Sequence, residues 1–172
     1  MNRLIALLLL TSFSPVNSQE IIEESAKFLY FGKQGLKNAA DGNHAKAILD
    51  FNHALEIFPD NTNALFSRGN SLLRMSRFEE AIADFSKVVE INPEHEDAFF
   101  NRGFAFKAIE KYREAIQDFS MVIKMNPTDG KSYYFRGVIF GVVGENKLAC
   151  MDIKMANTLG EKIQPSILQL CN

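Results

Sequence analysis

The chain has 172 residues, is 47% hydrophobic and 23% charged, and carries a net charge of −2. That is the size and balance of one moderate globular unit. It lacks the basic excess that nucleic-acid binding demands. No stretch reaches the ~18 consecutive apolar residues of a membrane span, so stable membrane insertion of the mature chain is not expected.

The first element is a segment of another kind, MNRLIALLLLTSFSPVNSQE. Arg3 precedes the apolar run Leu4 to Leu10, then a polar stretch with Pro15, then Val16-Asn17-Ser18. This order predicts a signal peptide over residues 1–18, cleaved after Ser18. The run is too short to span a membrane, and Pro15 would break a longer helix. No Cys follows it to carry a lipid anchor. The expected location is therefore exported, periplasmic or secreted. The only Asn-x-Thr candidate, Asn126-Pro127-Thr128, is excluded as a glycosylation acceptor by its proline, which favours the periplasm. Residues 19–27 read as an N-terminal arm or an upstream extension of the first helix.

From there the chain repeats itself every 34 residues. Pro59, Pro93 and Pro127 keep that spacing. Phe51, Phe85 and Phe119 keep it, as do Gly35, Gly69, Gly103 and Gly137. Ala47, Ala81, Ala115 and Ala149 form another column, and Asp50, Asp84, Asp118 and Asp152 a further one. The units are 28–61, 62–95, 96–129 and a degenerate 130–163. Within each, apolar residues recur at helical spacing in two segments joined by a short link, which predicts two antiparallel helices. The closing proline cannot continue the second helix. A glycine inside a helix costs about 1 kcal/mol relative to alanine, so four of them predict close approach of two backbones. Residues 164–172 read as a capping helix from about Pro165, with Ile167, Leu168 and Leu170 turned inward. A cap is what a stack of repeats needs at its open end.

These columns resemble the tetratricopeptide repeat. The residues that carry the likeness in the four units are Phe31, Gly35, Ala47, Phe51, Ala54 and Pro59; Leu65, Gly69, Leu72, Ala81, Phe85, Val88 and Pro93; Phe99, Gly103, Phe106, Ala115, Phe119, Val122 and Pro127; and Tyr133, Gly137, Phe140, Ala149, Ile153 and Ala156. The fourth unit then departs, with Gly160 and Glu161 where Asn-Pro stands in the others. The resemblance implies an all-α fold, a right-handed superhelix of four helix-turn-helix repeats with a C-terminal cap. It also implies that the first helix of each pair lines a concave groove. Carried over by register, the groove residues are Leu29, Lys33 and Leu36, then Phe66, Asn70 and Leu73, then Phe100, Asn101, Phe104 and Lys107, then Lys131, Tyr134, Phe135 and Val138.

An aromatic column at Phe66, Phe100 and Tyr134 would offer a site for an extended peptide or a partner helix. The family's clamp for acidic chaperone tails is matched at Asn70, Asn101 and Lys131. It needs cations where Phe66 and Phe135 stand, so that ligand is not expected. Arg68, Arg102 and Arg136 precede three of the glycines, and the first unit has Gln34 there. An inter-repeat ladder Asp50–Arg68, Asp84–Arg102, Asp118–Arg136 is expected. In an oxidising compartment Cys150 and Cys171 are expected to form a disulfide.

No catalytic, metal or cofactor constellation stands out. His44, His53 and His95 do not share a face, and there is no HExxH or paired CxxC. The functional expectation is a non-catalytic exported adaptor that holds a protein or peptide in its groove. The other readings are a structural module that self-associates or joins an envelope complex through its convex face or ends, and a groove for a non-protein ligand.

Overall fold

The computed structural model describes residues 17–169 and 171. The predicted signal peptide and Leu170 lie outside the described residues, except for Asn17 and Ser18. The described residues form helices and turns without a strand. In chain order the helices are α1 (Ser18–Ala40), α2 (His44–Ile57), α3 (Thr62–Arg74), α4 (Phe78–Ile91), α5 (Glu96–Ala108), α6 (Tyr112–Met125), α7 (Gly130–Val142), α8 (Asn146–Thr158) and α9 (Pro165–Gln169). From α2 to α8, the start of every second helix falls 34 residues after the last, so the sequence period is the structural period.

Local chemistry sets these boundaries. The backbone N–H of Ala64 donates to Asn61 Oδ1 at 2.9 Å, that of Ala98 to His95 Nδ1 at 3.3 Å, and that of Ser132 to Asp129 Oδ2 at 2.9 Å. Each cap satisfies a donor that the first helical turn leaves free. α1 starts ten residues earlier in its repeat, at a capping box of Asn17 and Glu20. Between the helices of each pair the chain must pass through a left-handed residue, at Gly42, Ser76, Glu110 and Gly144 (φ 77°, 57°, 61° and 84°). Glycine takes this conformation freely and a residue with a Cβ does not. Glu110→Gly is therefore expected to raise the unfolding free energy by about 0.5–1 kcal/mol. Urea denaturation would read the gain, and Gly144→Ser should cost a similar amount.

The core follows the columns. Phe51, Phe85 and Phe119 are almost wholly buried, as are Ala47, Ala81 and Ala115. A Cβ at Gly35 would lie 2.7 Å from the Phe51 ring, and one at Gly69 2.8 Å from the Phe85 ring. At Gly137 it would meet Asp152 Cβ at 3.0 Å and the Ala149 carbonyl oxygen at 3.2 Å. The helical glycines thus let the second helix seat its large residue against the first. α1, α3, α5 and α7 each touch the next of their set, whereas α2, α4, α6 and α8 do not touch one another. The stack therefore curves, with the first helices on its inner, concave side.

The arginine column behaves differently from expectation. Arg68 grips Asp84, Arg102 grips Asp118 and Arg136 grips Asp152, each by a two-point fork with N–O distances of 2.6 to 2.9 Å. The pairs lie within one repeat, so the ladder Asp50–Arg68, Asp84–Arg102, Asp118–Arg136 is not formed. The glycine beside each arginine packs on its own repeat's second helix, which carries the arginine to the aspartate there. Asp50 instead accepts from Asn38 Nδ2 at 2.7 Å. The link between repeats uses the third guanidinium nitrogen. Nη1 donates to Asn52 from Arg68 (2.8 Å), to Ser86 from Arg102 (3.2 Å) and to Ser120 from Arg136 (2.9 Å), each in the preceding repeat. Burial pushes the Asp118 carboxyl above the ordinary aspartate value, against the opposing pull of Arg102.

The C-terminal end is closed. Cys150 and Cys171 are disulfide-bonded with their Cα atoms 5.1 Å apart. Cys150 occupies the column of Ile48, Ile82 and Ile116, whose first member is packed in the core beside Leu65 and Leu72 of the next repeat. Where a fifth repeat would stack, the chain places a disulfide, the short α9, and the exposed Lys154, Asn157 and Thr158. Ile167 and Leu168 of α9 are half-buried.

Candidate functional site: two clefts on the concave face

The concave face carries two separate clefts rather than one continuous groove. The N-terminal cleft, about 530 Å³, lies between α1 and α3 and is lined by Phe28, Leu29, Gly32, Lys33, Leu36, Phe51, Asn61, Asn63, Ala64, Phe66 and Ser67. The C-terminal cleft, about 510 Å³, is lined by Leu73, Arg74, Phe100, Asn101, Phe104, Lys131, Tyr134, Phe135 and Glu161.

The break between them arises from side chains that meet across neighbouring repeats. At the second junction Asn101 Nδ2 donates to Asn70 Oδ1 at 2.7 Å. At the third junction the corresponding residues are Phe135 and Phe104, with ring centroids 5.8 Å apart. A polar pair therefore gives way to an aromatic one along the same floor. Lys107 lies over it, 6.0 Å from the Phe104 centroid and 5.8 Å from that of Phe135. These are cation–π distances and hold the ammonium against the aromatic patch.

The aromatic column divides by role. Phe66 packs edge-on against the buried Phe85 at 5.7 Å and lies 4.7 Å from the His95 ring. Phe100 meets the buried Phe119 at 5.6 Å and Phe135 at 5.7 Å. Both rings are half-buried wedges between helices. Tyr134 has no such anchor below it, because Ile153 replaces phenylalanine in the fourth repeat, and its ring neighbour is Phe135 at 5.5 Å. Phe104 is 38% exposed. Phe104 and Tyr134 are thus the aromatic side chains of this cleft most available to a ligand.

Of the expected groove residues, Leu73, Phe100, Asn101, Phe104, Lys131, Tyr134 and Phe135 come together in the C-terminal cleft. Phe66 falls in the N-terminal one with Leu29, Lys33 and Leu36. Asn70 is engaged with Asn101, Lys107 covers the aromatic pair, and the half-buried Val138 lines neither cleft. Arg74 and Glu161 line the C-terminal cleft and were not expected there. Arg74 sits at the last turn of α3, one position past Leu73. Glu161 follows the left-handed Gly160 (φ 97°), and its Cγ lies 2.9 Å from where a Cβ on Gly130 would stand. Among the described residues no helix is long and apolar enough to cross a membrane, and no cluster of three His, Cys, Asp or Glu side chains could hold a metal.

The sequence model of the tetratricopeptide repeat matches residues 62–95 and 96–129. The fold is a tetratricopeptide-repeat superhelix. The solved structures similar to this repeat stack include that of a MamA protein, 21% identical with a TM-score of 0.76, covering 78% of this chain and 74% of that one. MamA from residue 41 to its end, from Desulfovibrio magneticus RS-1, is 20% identical with a TM-score of 0.72, covering 75% and 73%. The first TPR of Spaghetti (RPAP3), bound to the HSP90 peptide SRMEEVD, is 24% identical with a TM-score of 0.65, covering 69% and 94%. At these identities the likeness is one of fold. No curated protein sequence matches the chain.

Proposed function

We propose that the chain is an exported, non-catalytic adaptor that holds a protein or peptide in the C-terminal cleft of its concave face. The observation that carries this reading is the cleft itself. It combines the apolar and aromatic Leu73, Phe104, Tyr134 and Phe135 with the cations Arg74 and Lys131 and the amide of Asn101. An apolar recess with a few convergent polar groups is the usual form of a ligand site. Aromatic and arginine side chains are the residue types that most often anchor a protein partner. The structure of Spaghetti (RPAP3), which shares the fold, holds a peptide. Export rests on the N-terminal segment, and the Cys150–Cys171 disulfide suits an oxidising compartment such as the periplasm or the cell exterior.

The test is capture of partners from an envelope extract by the immobilised chain and by a Phe104→Ser/Tyr134→Ala variant. Phe100 is left intact because it supports the core at Phe119. The variant should keep the circular dichroism spectrum of the parent. A protein retained by the parent and lost from the variant supports the reading. Equal retention by both would move the working surface to the convex face or the ends.

A further inference from the structure

α1 carries a surface that neither cleft explains. Ile22, Leu29 and Leu36 are 68%, 67% and 58% exposed, and they recur every seven residues along one line of the helix. A single exposed leucine is ordinary, but a heptad-spaced row is the signature of helix pairing. The row covers about 21 Å of helix length. The positions three residues after each of these are Ser25, Gly32 and Ala39, all small. Gly32 is the telling one. Gly35, in the next turn, is required by the Phe51 ring, yet a Cβ on Gly32 would meet nothing within 4 Å. Nothing inside the chain accounts for a glycine at the centre of this helix.

We propose that α1 pairs with α1 of a second copy of this chain, antiparallel, about a two-fold axis at Leu29. The row is its own complement under that axis: Leu29 meets Leu29, and Ile22 meets Leu36 of the second copy. The small Ser25, Gly32 and Ala39 let the two backbones approach. Charge fixes the direction. The first half of the helix carries Glu20, Glu23 and Glu24, against Lys27 alone, which pairs with Glu23 on its own helix. The second half carries Lys33 and Lys37, both exposed and without an ion-pair partner among the described residues. Antiparallel pairing sets acids over bases, whereas parallel pairing would set acids over acids. Such a self-complementary contact is the form a two-fold dimer takes. It leaves the C-terminal cleft open and stands whether or not that cleft binds a ligand.

Sedimentation velocity on the full chain over a wide concentration range tests this. A monomer–dimer equilibrium is expected. Leu29→Glu should weaken it by about a hundredfold or more, since the change falls twice at the axis. Gly32→Leu should weaken it as well, by blocking close approach, while leaving the fold intact. Orientation is read separately by cysteine pairing on a non-reducing gel. Leu29→Cys should cross-link with itself. Ile22→Cys should not, but should cross-link when mixed with Leu36→Cys. A chain that stays monomeric at every concentration, a dimer indifferent to both Leu29→Glu and Gly32→Leu, or self-cross-linking of Ile22→Cys would overturn the proposal. The Phe104→Ser/Tyr134→Ala variant should dimerise like the parent, so failure of the cleft reading and of this one remain distinct.

Discussion

Arg102→Met is expected to lower the unfolding free energy by about 3–5 kcal/mol, although it keeps most of the side chain's bulk. Asp118 is only 5% exposed, and Arg102 supplies both of the hydrogen bonds that its carboxylate receives from the guanidinium. Methionine would still fill the slot between the Phe99 and Phe106 rings, whose centroids lie 5.4 and 5.7 Å from the guanidinium carbon. What is lost is the counter-charge, and a buried carboxylate left alone is far costlier than the pair is beneficial. The double variant Arg102→Met/Asp118→Asn should therefore recover much of the loss. pH gives a second reading. Burial already raises the Asp118 pKa in the parent, and removing Arg102 raises it further, because the guanidinium is what pulls it down. The folded variant then holds a proton that the unfolded chain releases. Its stability is greatest below the ordinary aspartate value and is lost as pH rises through the raised one. The deficit relative to the parent should shrink on acidification. Urea unfolding of the parent and both variants at several pH values would check this, and a deficit that does not depend on pH would mean that Asp118 is solvated by another route.

The same site shows what the sequence disclosed and what it withheld. The period identified the arginine and aspartate columns but left their pairing open. Arg68 lies 18 residues after Asp50 and 16 before Asp84, and both offsets are kept in every repeat. The decision was available from the neighbours. Gly69 faces Phe85 at the same offset of 16, so the residue before each, Arg68 and Asp84, must face as well. The absence of arginine in the first repeat has its cause in Nη1, which reaches back to a preceding repeat that the first one lacks. Helix pairing and the glycine–phenylalanine contacts were legible because each is written three or four times. The left-handed turn column was hidden because Ser76 and Glu110 stand where Gly42 and Gly144 reveal it. The groove was legible only as a face. Whether Phe66 and Phe100 present their rings to solvent or bury them depends on what the second helix places beneath. With Phe85 and Phe119 below, they pack, and with Ile153 below, Tyr134 does not.

Phe119→Ala is expected to cost about 4 kcal/mol, towards the upper part of the range for a buried phenylalanine. The ring has no exposed surface. Phe135 stacks on it with centroids 5.7 Å apart and planes 15° from parallel, and Phe100 meets its edge. Opposite it is Gly103, whose Cβ position is 3.3 Å from the ring, so no side chain there can move in to fill a void. Phe51→Ala removes an equally buried ring, but one that borders the N-terminal cleft, where rearrangement of exposed neighbours is freer, and about 3 kcal/mol is expected. The comparison by urea unfolding bears on the binding face directly. Phe119 is the support on which Phe100 and Phe135 stand, and those two rings form the floor of the C-terminal cleft. A full loss means that the void stays open and the floor keeps its place. A loss of only about 2 kcal/mol would mean that Phe100 and Phe135 collapse into the space, as core sites that relax do. In that case the cleft changes shape without any surface residue being altered, and capture of a partner should weaken even under conditions where the variant is fully folded. Stability and binding are then coupled through one ring, which is the consequence of building a ligand site on the seam between two repeats.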